Sequence, residues 1–547
     1  MSAGPAIANN LWLAASLPEW LRFRHSATRV EATQRQLLSR YIRDNAATAF
    51  GRDHGFSQIG SWEDFAEKVP VRPYEEFEPW IGQIAGGAQD VLTAEPVKLL
   101  EPSSGSSGAE KWIPYTSGLQ AEFRRAVAVW ISNIFLEMPA LKAGRAYWSL
   151  TPPAQRDRAQ ESSVPIGFDQ DSAYLGGFAQ RLVNLTLATP PQLRGVADMD
   201  MFWRLTLLSL LKCRDLRLIS VWHPSFVLLL LRYLRNNWSS LLDDLASGLN
   251  TPTVNIAKDN PRSRELARLG PDNPGSVWPD LAMISCWGDA HAANYLPDLR
   301  AEFPGVHLQP KGIVATEAFI TLPFAHDHPL AIRSHFFEFQ DEAGNILPAW
   351  SLKDKCAYTL IITTGGGLYR YALRDRVEVT GFYADIPSLR FIGKADNVSD
   401  HCGEKLNEAF VATCLEAVFK QFELEPRFAM LALDDPNSSP GYSLYIESSV
   451  ELPKQLAAEL EKQLRHSHHY DLCIRLGQLQ QVRVKSIAGN AYEIYTGALV
   501  KHGMRLGDIK PTPLSRHTDW SDYFGMPATS SLSGPHLANR RIKKRPS

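Results

Sequence analysis

Apolar positions recur at helical spacing over residues 34–50, where Leu37, Leu38 and Tyr41 share a face. Residues 202–212 and 226–235 repeat that period and are so rich in leucine that burial over most of their surface is expected. Further along the period changes. Leu281-Ala282-Met283-Ile284-Ser285-Cys286 is a short apolar run that stops at Trp287-Gly288, and residues 358–364 are β-branched and close on Gly365-Gly366-Gly367. Residues 377–382 alternate as a half-buried strand does. The mixture predicts an α/β protein built on several sheets.

Near residue 395 the texture shifts to polar. Beyond it the pattern predicts a helix over 404–422, strands at 430–433 and 442–447, a helix over 453–466 and a strand at 482–484, which together make a small α+β unit. The expected organisation is a large multi-sheet α/β domain over 1–394, a small mobile α+β domain over 395–527, and a basic tail over 528–547. That tail carries Arg540, Arg541, Lys543, Lys544 and Arg545 and is expected to be disordered.

Composition narrows the function classes. Of 547 residues, 44% are hydrophobic and 21% charged, which excludes a largely disordered chain. Lys+Arg 57 against Asp+Glu 59 leaves no basic field, so neither nucleic acid nor a membrane surface is an expected partner. No apolar run approaches the roughly 18 residues of a membrane span, and the N-terminus lacks the order of a secretory signal. Six scattered cysteines without a Cys-x-x-Cys pair fit a reducing, cytoplasmic setting. His326-Asp327-His328 and His466-Ser467-His468-His469 offer metal donors but no matching third partner at helical or strand spacing.

The segment richest in chemistry is Ser103-Ser104-Gly105-Ser106-Ser107-Gly108-Ala109-Glu110-Lys111. Its glycines allow a tight turn that presents backbone N–H groups to an anion, its hydroxyls add donors and Lys111 adds a cation. The same composition suits a flexible linker. It is neither a Walker A loop nor a hydrolase elbow. Downstream, Thr316-Glu317 ends an apolar run, where a carboxylate could hold Mg²⁺ against phosphate oxygens or simply cap a turn. Asp375 precedes the strand 377–382; it could accept a ribose diol or pair with Arg374 or Arg376. Trp130 and Trp148 could line a pocket or fill a core.

In order and spacing these segments resemble the acyl-adenylate-forming enzymes, and more narrowly the Gretchen Hagen (auxin-responsive) family of acyl acid amido synthetases. The resemblance runs over nearly the whole chain. It includes residues 50–56, Val69-Pro70-Val71, the serine–glycine loop, Ala315-Thr316-Glu317, residues 368–375, the crossing at 391–408 and Lys510-Pro511. It implies the acyl-adenylate-forming fold and the use of ATP and Mg²⁺ to convert a carboxylic acid to acyl-AMP, which then passes to an amine or amino acid. By position it implies that Ser103, Ser104, Gly105, Ser106, Ser107, Gly108 and Lys111 wrap the ATP phosphates with Thr316 beside them. Glu317 would bind Mg²⁺, Asp375 and Lys394 would meet the ribose, Gly288 would lie in the adenine loop, and Lys510 would be the catalytic lysine at the α-phosphate. Four positions depart from the family pattern: Glu110 before Lys111, Ile313 for an aromatic residue, Arg374 for glycine, and Lys394 for arginine. An acyl-CoA ligase sharing the adenylation step, and a non-catalytic nucleotide or acyl-acid sensor of the same fold, are the competing readings. The acid, the amine and the oligomeric state are not specified by the sequence.

Overall fold

The computed structural model describes residues 3–104, 110–148, 162–167, 177–196, 198–394, 398–399, 401–434, 440–502, 504 and 509–525. The centre of the serine–glycine loop (105–109), the segment 395–397 and the basic tail lie outside the described residues.

The helix expected over 34–50 is two helices, Val30–Asp44 and Ala49–Asp53. Thr48 makes the break: its side chain accepts the Gly51 N–H as an N-cap and donates to the Asn45 carbonyl at 2.8 Å. Only glycine fits at 51, because a Cβ there would stand 2.1 Å from the Asn45 carbonyl oxygen. Likewise the helix expected from 404 starts at Glu408, where Asn407 caps the Phe410 N–H at 2.8 Å. The preceding Leu406–Asn407 pairs with Val398–Ser399 as a short strand.

Three sheets organise the chain. Arg145–Trp148, Leu216–Ser220, Met283–Trp287 and His307–Lys311 form a parallel sheet in sequence order, with helices in the crossovers. Both faces are covered, as parallel sheets require. Tyr147, Ile219, Ile284 and Cys286 pack with helices Met199–Lys212 and Pro224–Asn236. Ala146, Leu218 and Met283 pack with Trp130, Ile131 and Ile134 of Ser117–Glu137 and with Trp12.

A five-stranded antiparallel sheet follows, in the order Ile346–Pro348, Phe336–Gln340, Ala357–Thr363, Tyr371–Tyr383 and Ile386–Lys394. It carries the largest core, from Phe23 to Leu389. The last sheet is mixed: Gln480–Ser486, Gly441–Glu447, Phe428–Asp434 and Leu514–Ser515, with its own core around Val411, Leu431, Leu444 and Leu460. No helix among the described residues is long and apolar enough to cross a membrane.

Candidate active site

Lys111 comes to the site on a hairpin. Leu99–Ser104 and Glu110–Tyr115 pair antiparallel with Ser103 opposite Lys111. Lys111 donates to the Tyr371 hydroxyl at 3.4 Å and lies 5.4 Å from the Tyr74 ring centroid. Tyr371 begins a strand whose fifth residue is Asp375, and Asp375 faces Lys394 across the antiparallel register. The ion pair between them is 2.5 Å long. The expected alternatives for Asp375 were Arg374 and Arg376, but those side chains turn away, to Glu75 and to Glu342.

Thr316-Glu317 sits on the loop after His307–Lys311, and the Thr316 carbonyl accepts the Tyr115 hydroxyl at 2.8 Å. Glu317 is 5% exposed. Burial pushes its carboxyl above the usual range, opposed by the Lys394 and Lys111 ammoniums and reinforced by Asp375. Burial, and then Glu317 and Asp375, push the Tyr371 phenol well above its usual range. Lys111, Glu317, Tyr371, Asp375 and Lys394 therefore form one electrostatically coupled group. A buried carboxylate beside a threonine suits Mg²⁺, which takes one or two protein carboxylates and completes its shell with water and phosphate oxygens.

A second group gathers at the carboxyl ends of the parallel strands, the usual place for ligands in such sheets. Gly288 turns the chain after Trp287, and a Cβ on it would stand 2.8 Å from the Pro310 Cβ. Trp287 meets Phe391 edge-on at 5.7 Å, and the Phe391 N–H donates to Asp289 at 3.1 Å. Burial raises the Asp289 carboxyl. Lys510 is exposed, and its ammonium lies 4.9 Å from the Trp287 ring centroid. Phe391, three residues before Lys394 on one strand, links the two groups.

Three departures from the family pattern have structural counterparts. Arg374 has φ +63°, a left-handed backbone for which glycine is the unstrained choice. Lys394 spends its charge on Asp375. Ile313 is 3% exposed and packs in the large core. Trp130 is 7% exposed, donates its indole N–H to Gln309 at 2.9 Å, and packs with Trp148 and Trp12 in one apolar cluster. Of the loop residues, Gly105, Ser106, Ser107 and Gly108 lie outside the described residues. Sequence reasoning missed Asp289, Trp222 and Lys311. A lysine closing the strand His307–Lys311, next to Gly312, was the one visible signal.

Sequence profiles for the three domains of one family match the chain: the GH3 family N-terminal domain over residues 21–308, its central domain over 328–394 and its C-terminal domain over 404–519. The chain belongs to the GH3 family. Among curated GH3 proteins, the putative indole-3-acetic acid-amido synthetase GH3.10 of Oryza sativa subsp. japonica is 24% identical, covering 79% of this chain and 92% of that one. Indole-3-acetic acid-amido synthetase GH3.3 of Arabidopsis thaliana is 24% identical, over 72% of this chain and 73% of its own. The solved structure of AtGH3.15 acyl acid amido synthetase in complex with 2,4-DB superposes with a TM-score of 0.80 at 18% identity, covering 92% of this chain and 95% of that one. The GH3 fold, a large N-terminal part followed by a C-terminal domain, is therefore shared along almost the whole chain.

Proposed function

We propose that this GH3 protein is an ATP-dependent acyl acid amido synthetase. It activates a carboxylic acid as acyl-AMP and passes the acyl group to an amine or amino acid. The observation that carries the reading is the gathering of Lys111, Tyr371, Glu317, Asp375 and Lys394 in one group, with Lys510 reaching the neighbouring Trp287.

In the first half-reaction a carboxylate oxygen forms a bond to the α-phosphorus while pyrophosphate leaves with the bonding pair. Little proton transfer is needed, so positioning and charge neutralisation are the protein's tasks. Lys111 and the turn's N–H groups suit the polyphosphate, and Asp375 suits the ribose hydroxyls, sharing its second oxygen with Lys394. Glu317, with the Thr316 hydroxyl beside it, suits Mg²⁺, which when bound supplies further charge neutralisation at the phosphates. Lys510 suits the developing charge at the α-phosphate. In the second half-reaction the amine nitrogen attacks the acyl carbon, AMP leaves with the bonding pair, and the amine proton passes to solvent.

The test is acid-dependent exchange of labelled pyrophosphate into ATP over an acid panel, followed by product mass with amino acids. Exchange followed by an amide product supports the reading. A thioester formed only with coenzyme A would make the protein an acyl-CoA ligase. ATP binding without exchange for any acid would make it a sensor.

A further inference from the structure

The parallel sheet presents two rows of side chains on the face covered by Ser117–Glu137. Its register aligns Trp148, Ser220, Ser285 and Gln309 across the four strands. Two residues further on, at the carboxyl ends, come Trp222, Trp287 and Lys311, with Trp287 paired to Lys311 and its N–H donating to the Trp222 carbonyl at 2.8 Å. Period-two alternation puts this outer row on the same face as the inner one. The inner row is closed by its own bonds: Gln309 accepts from Trp130 and, at 3.2 Å, from Ser285. In the outer row Trp287 is 9% exposed and packs in the large core, while the other two members are more open. Trp222 is 43% exposed.

Lys311 is the charge in this row. Its ammonium lies 5.0 Å from the Trp222 ring centroid, and among the described residues no ion pair or side-chain hydrogen bond engages it. Burial lowers its pKa to about 8, and the Cys286 thiol that opposes this shift is itself pushed up to about 12 by burial and so is neutral. A half-buried ammonium with no acid beside it among the described residues is short of counter-charge, and the row's aromatic rings offset only part of that. An anion of the right size removes the deficit.

Resting on the amido synthetase reading, we propose that Lys311 is the carboxylate anchor of the acyl-acid site. Its ammonium takes one oxygen of the substrate carboxylate, leaving the other free to attack phosphorus, while the exposed indole of Trp222 takes the organic part. The substrates implied are monocarboxylic acids whose carbon chain or ring next to the carboxylate is flat or slender enough to lie along one indole.

The experiment measures binding directly, by quenching of tryptophan fluorescence, so that it reads Lys311 whether or not the protein turns over. The probes are benzoate and octanoate against their neutral counterparts benzamide and octanamide. The wild-type protein is expected to prefer the carboxylates, and Lys311→Met to lose about 10- to 100-fold in carboxylate affinity with carboxamide affinity unchanged. Lys311→Arg, which keeps a cation, should retain most of the preference. With an acid that supports pyrophosphate exchange, Lys311→Met should raise the KM for acid and leave the KM for ATP unchanged. The proposal is overturned if the wild-type protein does not discriminate carboxylate from carboxamide, or if Lys311→Met keeps the discrimination. Should Lys311→Met fail to fold by circular dichroism, loss of the preference in a folded Lys311→Arg also overturns it. Failure of the amido synthetase reading shows separately, as wild-type protein that binds carboxylates yet exchanges no pyrophosphate.

Discussion

Asp375 and Lys394 form a pair whose two members are unequally buried, and that inequality predicts unequal consequences of removing them. The Asp375 side chain is 7% exposed and that of Lys394 37%. In Asp375→Ala the orphaned ammonium is close enough to solvent to hydrate, so the loss should be that of a partly exposed pair, about 1 kcal/mol. In Lys394→Ala the buried Asp375 carboxylate loses its partner, and Glu317 loses the larger of the two cationic contributions that oppose its desolvation. Breaking a buried pair from that side costs about 3 kcal/mol or more. The double variant should lie between the two, because removing Asp375 withdraws the stranded charge. Urea unfolding followed by tryptophan fluorescence, with similar slopes for all four proteins, measures the cycle. ATP titration gives the other half. Asp375→Ala should weaken ATP binding by about 1–3 kcal/mol, since the ribose diol loses its acceptor. If Asp375→Ala destabilises as much as Lys394→Ala, the argument from burial is wrong. If ATP affinity is unchanged in Asp375→Ala, the ribose assignment is wrong.

Lys510→Ala should slow adenylation by about two to three orders of magnitude while a supplied acyl-adenylate still reacts with amine, and equal loss of both steps, measured separately, would refute its assignment to the α-phosphate. Glu317 has a carboxyl pKa raised by burial, so its ionised form opposes folding at pH values above that pKa and its protonated form forgoes Mg²⁺ below it. Glu317→Gln should therefore keep or raise the melting temperature at neutral pH yet need far more Mg²⁺ for exchange, whereas in the wild type the Mg²⁺ requirement should climb as pH falls, starting above the ordinary carboxyl range. Arg370 is buried, bonds Glu338 at 3.0 Å and donates to the Ala66 and Val69 carbonyls at 2.8 and 2.7 Å. Arg370→Met leaves Glu338 buried with the Trp62 indole as its remaining donor, and should cost about 3–5 kcal/mol in denaturant titration.

What the sequence made legible was local. Leucine-rich periods marked the helices Met199–Lys212 and Pro224–Asn236, and the β-branched run marked Ala357–Thr363. The break at Thr48 was written as a capping residue before a glycine, but helical periodicity ran across it and outweighed it. The site was legible as an ordered set of motifs and not as contacts. Lys111 and Tyr371 meet from 260 residues apart, and the partner of Asp375 follows from hairpin register rather than from the adjacent arginines. Burial hid Lys311 and Asp289 as well, since nothing local separates a lysine that ends a strand in a cleft from one that ends it in water.

The reach of Lys510 to Trp287 depends on a contact that no motif announces. Helix Ala491–Lys501 sets Tyr492 against His223 and Tyr295, with ring centroids 5.7 and 5.4 Å away, and its rim carries an ion pair from Glu493 to Arg232, which also donates to Asn490 at 3.1 Å. Arg232 and Glu493 are both more than a third exposed, so salt and water weaken their attraction, and more of the holding falls to Tyr492, stacked on His223 and edge-on to Tyr295. The Tyr495 hydroxyl, one turn along the same helix, donates to the Lys510 carbonyl at 2.9 Å. One helix thus bears both the docking surface and a tether on the lysine's backbone. Under the proposed role of Lys510, that surface and tether would hold the lysine against Trp287 while pyrophosphate departs and release it for the second step, which no longer places charge there.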